Sequence, residues 1–285
     1  MVTSTWTDWF VRDEVEATDP DGLSIWYLGC NGFVLRTDEA TVYVDPYFGT
    51  GGHRRYAVRM CPVPMDPVDA TRCDAVLVTH GHVDHLHPPS YRPLLDLGAD
   101  LYAPSGALED PSYGNDLRIP SGQCQPVSVG MEFEIGDLRV SVRGADDPDA
   151  VDPVSYVIEY GDNVFFHGGD SGPCEEFSAV GTEFDVDLGA LAFGSAGLVY
   201  DGETATSERT RWYMDENEIV EAANQLRLDR LLPTHWNMWK GAEADPSPLH
   251  DHASSFRYPH VVEVGRTGDR FELERPGVRP PVFAE

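Results

Sequence analysis

Four residues able to ligate a metal fall within six positions of this chain, in the run His80-Gly81-His82-Val83-Asp84-His85. The stretch before it, Asp74 to Thr79, is apolar and β-branched with no turn residue inside it, which predicts a short buried strand. Residues two apart on extended backbone face the same side, so His80 and His82 can grip one ion as a pair. Asp84 and His85 follow where the chain turns and can face a second ion beside the first. Imidazole nitrogen suits Zn, Fe or Mn, and a carboxylate adds a hard oxygen ligand. A polar loop that merely happened to be rich in histidine would have no reason to concentrate these types at the carboxyl end of a strand. The pattern predicts a metal site.

Other predicted strands end in residues of the same kind. Leu23 to Leu28, Phe33 to Thr37 and Thr41 to Asp45 read as successive strands, the first two joined by Gly29-Cys30-Asn31-Gly32. Asp45 closes the third strand before Pro46 and reads as an acid that braces the metal ligands from behind. A hairpin of Glu132–Ile135 and Leu138–Arg143, turning at Gly136-Asp137, delivers the acidic turn Gly144–Asp149. A second hairpin, Val154–Tyr160 and Val164–His167, leads into Gly168-Gly169-Asp170, where small residues let backbone approach a ligand and Asp170 projects from the strand end. Leu188–Phe193 is another buried strand. Arg230–Thr234 is a strand ending in His235-Trp236-Asn237-Met238-Trp239-Lys240.

Helices are expected over Pro88–Leu97, from Ser105 to Glu109, and over Met214–Leu228, where Ile219, Ala222, Ala223 and Leu226 share a face. Val261–Val264 and Phe271–Glu274 read as a last hairpin around Thr267-Gly268-Asp269. The Gly- and Pro-rich stretch Phe48–Ala70 is irregular and carries Arg54, Arg55 and Arg59. A guanidinium pairs bidentately with phosphate or carboxylate, so these arginines can clamp an anionic substrate; pairing with surface carboxylates is the competing reading. Strands outnumber helices early and then alternate with them. This predicts an α/β fold, a sandwich of two sheets with helices outside, as one domain over residues 1–285. Within it, Met1–Asp21 lacks the layout of a signal peptide, and its Trp6, Trp9 and Phe10 read as a segment that docks on the body.

Acidic residues number 49 against 20 basic ones, a formal net charge of −29, and Lys240 is the only lysine. Such a balance argues against nucleic acid as a partner, since no basic stripe is visible. With 41% hydrophobic and 11% aromatic residues, disorder is not the explanation for the charge. Adaptation to a cytosol of molar salt is, because there the Debye length is about 3 Å and surface carboxylates stop repelling one another. The five scattered cysteines, with no C-x-x-C pair, read as reduced thiols of a cytoplasmic protein. No apolar run reaches membrane-spanning length.

The order and type of these sites resemble the metallo-β-lactamase superfamily, whose αββα sandwich binds one or two metals at the sheet edges. Within it, the chain looks most like the L-ascorbate-6-phosphate lactonase family. The matching stretches run from Trp26-Tyr27-Leu28-Gly29-Cys30-Asn31-Gly32-Phe33 through Val44-Asp45, Phe48-Gly49-Thr50-Gly51 and the His80–His85 motif. They continue to His167-Gly168-Gly169-Asp170-Ser171 and Pro233-Thr234-His235 with Trp239. The resemblance implies that His80, His82 and Asp146 hold one divalent ion, that Asp84, His85 and His235 hold a second, and that Asp170 bridges them. Asp149 is the alternative to Asp146. Mn and Zn are the metals implied.

The implied chemistry is hydrolysis by a metal-activated hydroxide, with Asp84 and Asp170 catalytic, acting on a small anionic lactone or ester. Arg54, Arg55, Asn237 and Lys240 are the candidate substrate contacts. The segment Asp147–Pro153 is shorter than in the lactonase family, so the hydrolytic machinery carries over better than the substrate. A phosphodiesterase of the same fold and a non-catalytic metal-binding protein are the alternatives, and the oligomeric state, homo-oligomer included, stays open.

Overall fold

In the computed structural model, residues 2–51, 58–110, 116–201 and 205–274 are described. The strands are β1 (Gly22–Gly29), β2 (Gly32–Arg36), β3 (Thr41–Val44), β4 (Ala75–Leu77), β5 (Asp100–Pro104), β6 (Cys124–Val127), β7 (Glu132–Ile135) and β8 (Leu138–Gly144). They continue as β9 (Val154–Tyr160), β10 (Asn163–His167), β11 (Leu188–Ala192), β12 (Ala196–Asp201), β13 (Thr206–Arg211), β14 (Arg230–Thr234), β15 (Val261–Val262) and β16 (Arg270–Glu274). The α-helices are α1 (Pro88–Leu95), α2 (Ser105–Glu109), α3 (Glu175–Glu183), α4 (Glu216–Gln225) and α5 (Leu249–Ala253).

Two seven-stranded sheets form, in the orders β16-β1-β2-β3-β4-β5-β6 and β15-β14-β11-β10-β9-β8-β7. Their strands alternate between two apolar layers, as a period of two requires. Leu23, Ile25 and Tyr27 of β1, Val42 and Val44 of β3, and Tyr156 and Ile158 of β9 meet in the layer between the sheets. Trp26 and Leu28 face the other way, into a layer shared with Tyr91, Leu94 and Leu95 of α1. On the far side of the second sheet, Val157 and Phe166 pack with Phe177 of α3, Ile219 and Ala223 of α4, and Leu249 of α5. The fold is therefore an αββα sandwich. Burial on both faces explains why the strands read as nearly continuous apolar runs. Each fully buried Leu, Val or Phe contributes about 1.5–3 kcal/mol, so a one-residue slip of register is strongly disfavoured.

The N-terminal segment docks as a π-helical turn, Phe10–Val15, with Phe10, Val11 and Val15 buried. Trp26 Nε1 donates to Glu14 Oε1 at 3.0 Å, and the Arg36 guanidinium donates to the carbonyls of Val15 and Thr18.

The structure corrects the last expected hairpin. Val261–Val262 pairs in parallel with β14 in the second sheet, whereas Arg270–Glu274 pairs antiparallel with β1 in the first. The turn at Thr267-Gly268-Asp269 exists, but the chain crosses from one sheet to the other there, so its flanks cannot pair. Each closes the open edge of a different sheet. β6, α3, α5 and the β12–β13 hairpin are elements with no counterpart among the sequence expectations. That hairpin forms a two-stranded sheet of its own, whose second strand is the polar run Thr-Ser-Glu-Arg-Thr-Arg. It lies outside the three apolar layers and so leaves no periodic apolar signal.

Parallel pairing sets the direction of the site. β3 runs parallel to β4, and β10, β11 and β14 run parallel to one another, with β8 antiparallel to β9 and β9 antiparallel to β10. The carboxyl ends of β3, β4, β8, β10 and β14 therefore open at a common end of the sandwich.

Candidate metal centre

Two groups of four potential ligands assemble at that end, one of His80, His82, Asp147 and Asp170, the other of Asp84, His85, Asp170 and His235. Within each group one ligand atom per residue lies within 4.8 Å of all the others. Asp170 belongs to both.

The second group is sealed. His85 and His235 side chains have 0% exposure, Asp84 9% and Asp170 6%. Asp170 Oδ1 lies 3.2 Å from His85 Nε2 and 3.1 Å from His235 Nε2. Asp84 Oδ2 lies 3.9 and 3.6 Å from the same two nitrogens. In the first group, His80 Nε2 sits 2.9 Å from His82 Nδ1 and 3.9 Å from Asp170 Oδ2. Asp147 Oδ2 is 3.5 Å from His80 Nε2 and 3.6 Å from His82 Nδ1.

That carboxylate oxygen is buried without a hydrogen-bond partner, although two imidazole nitrogens converge on it. Imidazole nitrogens converging with an orphaned carboxylate oxygen on a common point are the arrangement a shared cation satisfies. Mixed imidazole and carboxylate donors suit Zn or Mn, so the residues present fit one or two divalent ions.

The local sequence explains how each ligand is presented. Asp45, at φ 43°, turns its buried carboxylate behind the motif. Its Oδ1 accepts from the Thr79 amide at 2.9 Å, and its Oδ2 lies 2.7 Å from Thr79 Oγ1, 2.8 Å from His85 Nδ1 and 2.9 Å from His167 Nε2. A carboxylate on the far nitrogen of a ligand histidine fixes its ring and tautomer. His167 thus braces Asp45 from behind and is not among the ligands. Gly169, at φ 57°, lets Asp170 swing past Thr79; a Cβ there would meet Thr79 Oγ1 at 2.9 Å. His235, at φ 64°, is held through its backbone, its N–H donating to the Cys30 carbonyl at 3.0 Å and its C=O accepting from Ser195 Oγ at 2.9 Å.

The same contacts set the electrostatics. Burial opposes charge on Asp170, but His235 and His85 outweigh it and hold the carboxyl well below its usual range. Burial also opposes charge on His85, and Asp170 and Asp45 overcome it, raising the imidazole well above its usual value. His80 is pushed down by burial and by the neighbouring His85. Burial and then the charge of Asp170 raise Asp147.

The sequence-expected residues fare unequally. His80, His82, Asp84, His85, Asp170 and His235 come together. Asp146 does not, and Asp147 stands in its place. The Asp146 amide donates to Ser171 Oγ at 2.8 Å and its carbonyl accepts from Gly172 N–H at 2.7 Å. That clamps the backbone with the Asp146 side chain exposed, and the next residue turns inward. Asp149 reaches the group only through its carbonyl, 3.1 Å from His82 Nε2.

Arg54 and Arg55 lie outside the described residues. Arg59 is no clamp. Its buried guanidinium is consumed by the carbonyls of Leu28, Tyr47, Cys61 and Pro62. Lys240 is exposed and Asn237 half-buried, with Asn237 Oδ1 lacking a hydrogen-bond partner. The backbone around Lys240 is tied to Val58 and Met60, Lys240 N–H donating to Val58 O at 3.0 Å and Met60 N–H to Met238 O at 2.7 Å.

Two further neighbours escaped the sequence reading. Asn31 Nδ2 donates to Asp170 Oδ1 at 3.1 Å, while Asn31 Oδ1 accepts from Thr234 Oγ1 at 2.8 Å. Tyr213 stacks on His235 with centroids 4.5 Å apart. Asn31 sits in a glycine turn and was read as a turn residue. Tyr213 reaches the site from the end of a hairpin that has no sequence signal.

Residues 40–236 match the family model of the beta-lactamase superfamily domain. Among characterised sequences, probable L-ascorbate-6-phosphate lactonases of Salmonella gallinarum and Escherichia fergusonii are 25% identical over 293 residues, covering 87% of this chain and 80% of theirs. Among solved structures, Igni18, a metallo hydrolase from Ignicoccus hospitalis, superposes with TM-score 0.64 at 19% identity, covering 88% of this chain and 99% of that one. An isothiocyanate hydrolase from Delia radicum gut bacteria superposes with TM-score 0.66 at 13% identity, with the same coverages of 88% and 99%.

Proposed function

The chain belongs to the beta-lactamase superfamily, and from that premise we propose that it is a metal-dependent hydrolase opening a small anionic lactone or ester. The observation that carries the reading is Asp170, one buried carboxylate shared by two four-residue donor groups. The lactonase relatives support the substrate class, because their similarity extends over 87% of this chain.

What a divalent pair supplies when bound is a water of lowered pKa and polarisation of the acyl oxygen. The protein's own residues do the rest. Asp170 holds the two donor groups in register, itself fixed by Asn31. Asp84, 3.6 Å from His235 Nε2, accepts a hydrogen bond from the attacking water and passes its proton to the leaving oxygen. Asp45 keeps His85 oriented. Lys240 and Asn237, together with Arg54 and Arg55, bind the anionic part of the substrate.

Three carboxylates, Asp84, Asp147 and Asp170, serve the pair of sites, which favours Mn²⁺ for activity although Zn²⁺ binds more tightly by the Irving–Williams order. The charge of −29 supports work in a cytosol of molar salt. Among the described residues no helix is long and apolar enough to cross a membrane.

The test is to load the purified protein with Mn²⁺ in molar KCl and follow acid release from a panel of sugar-acid lactones beside hydrolysis of bis(p-nitrophenyl) phosphate. Lactone opening without phosphodiester turnover is expected. Phosphodiester turnover alone, or metal bound with neither activity, would reject the reading.

A further inference from the structure

Beneath the donor groups lies a pair of thiols that the proposed reaction does not use. Cys30, in the β1–β2 turn, and Cys61, in the loop after Val58, place their sulfurs 3.6 Å apart, although 31 positions separate them in sequence. Both are buried, Cys30 at 0% and Cys61 at 7% exposure, in a pocket shared with Tyr47 and Met238.

The approach is built into the fold. Gly29, at φ 83°, has no side chain where a Cβ would press on Cys61 Sγ and on Arg59 Nη2, each at 3.2 Å. Arg59 pins the Cys61 segment by donating to its carbonyl at 3.1 Å and to that of Leu28 at 3.1 Å. A disulfide needs its sulfurs about 2.05 Å apart, so closure requires a movement of about 1.5 Å shared between two backbone segments.

Cys30 is also tied to the metal ligands. Its carbonyl accepts the N–H of His235, and the next residue, Asn31, donates to Asp170. We infer that Cys30 and Cys61 form a peroxide-sensitive dithiol whose oxidation to a disulfide loosens the metal centre above it.

The chemistry balances with a hydroperoxide as oxidant. The Cys61 thiolate attacks one peroxide oxygen, the O–O bond breaks, and the other oxygen leaves as alcohol or water after taking a proton. The Cys30 sulfur then attacks the resulting sulfenic acid. The S–S bond forms, the S–O bond breaks, and hydroxide leaves as water with the Cys30 proton. Two thiols lose two electrons in total, and the peroxide gains them.

Cys61 is the residue to attack first, since it retains some exposure and Cys30 none. Its thiol is also lowered to about 6, chiefly by the hydrogen bond from Cys30 and, against the opposing effect of burial, by the Arg59 guanidinium.

The metal half of this inference rests on the proposed centre; the thiol half does not. The experiment treats full-length protein loaded with redox-inert Zn²⁺ with hydrogen peroxide. It maps all five cysteines by differential alkylation and mass spectrometry, and follows zinc transfer to a chromophoric chelator. A Cys30–Cys61 linked peptide is expected, reversed by dithiothreitol, with zinc transfer at least about tenfold faster in the oxidised protein. In Cys30→Ser, dimedone should trap a sulfenic acid on Cys61. In Cys61→Ser, peroxide should leave zinc transfer unchanged.

Cys30 and Cys61 that stay alkylatable while Cys124 or Cys174 oxidises would overturn the dithiol. A linked peptide with unaltered zinc transfer would overturn the coupling. Failure of the wild-type protein to bind zinc at all would reject the centre and with it the coupling, while the peptide map would still decide the thiol pair.

Discussion

In the inner donor group Asp84, His85 and His235 are sealed from solvent, whereas in the outer group His82 keeps 32% of its side chain exposed and Asp147 11%. The inner ligands are braced on every side, His85 by Asp45, His235 by its backbone bonds and by stacking on Tyr213, and the shared Asp170 by Asn31. The outer pair has Thr79 Oγ1 3.0 Å from His80 Nδ1, and for His82 the carbonyl of Asp149. Burial and bracing restrict ligand motion and exclude competing water, so the inner group should grip its ion and the outer group should exchange it. The difference puts the outer group on the solvent side of the centre.

The largest effect should come from removing what the two groups share. Asp170→Ala takes several kcal/mol of charge stabilisation from the centre, a loss of at least about 10³-fold in turnover. Initial rates, with circular dichroism in molar KCl confirming the fold, check this; wild-type turnover would dissolve the pairing of the groups.

The inner bracing comes next. Asp45→Ala leaves His85, His167 and the Thr79 hydroxyl without their buried carboxylate, and should cost about 3–5 kcal/mol in denaturant unfolding of the metal-free protein. His82→Ala, at the exposed rim, should cost no more than about 0.5 kcal/mol in the same assay. Equal losses would erase the contrast between the groups.

Metal stripping sharpens it further. Chelator treatment should release one ion at least about tenfold faster than the other, and His82→Ala should abolish retention of the fast one only. A single release phase in both proteins would contradict unequal grip.

The mildest effect expected is on metal preference. Asp147→His replaces a hard oxygen by a borderline nitrogen in the outer group and should shift the Mn²⁺/Zn²⁺ activity ratio towards Zn²⁺ by a fewfold. The same change at Asp146, whose side chain points away, should leave the ratio alone. If Asp146→His shifts it and Asp147→His does not, the placement of this loop is wrong.

The inner group was the more legible half in sequence. His85 and Asp84 sit in one short motif after an uninterrupted apolar strand, and Asp170 and His235 each follow a strand directly, so local pattern was enough to find them. The acidic turn offers three aspartates, and the structure brings Asp147 beside His80 and His82 where the sequence pattern points to Asp146. Which one lies beside the histidines depends on the Asp146 amide donating to Ser171 Oγ and its carbonyl accepting from Gly172 N–H, contacts about 25 positions distant that no local pattern encodes. Asn31 and Tyr213 were missed for the same reason. Their roles depend on a partner 139 positions away for Asn31 and, for Tyr213, on stacking against His235 from just beyond β13. The sandwich itself was readable from alternation and turn residues. The final crossing of the chain between sheets was not, because a hairpin and a sheet-to-sheet crossing share the same apolar–turn–apolar pattern.

The central claim is that one carboxylate joins two donor groups into a two-ion centre. Electron paramagnetic resonance of the protein titrated with Mn²⁺ tests it most directly. The account predicts binding of two ions per chain with an exchange-coupled spectrum, as expected for ions about 3.5–4 Å apart, and its collapse to an uncoupled signal in Asp170→Ala. Saturation at one ion per chain, or two ions with uncoupled spectra in the wild-type protein, would contradict it.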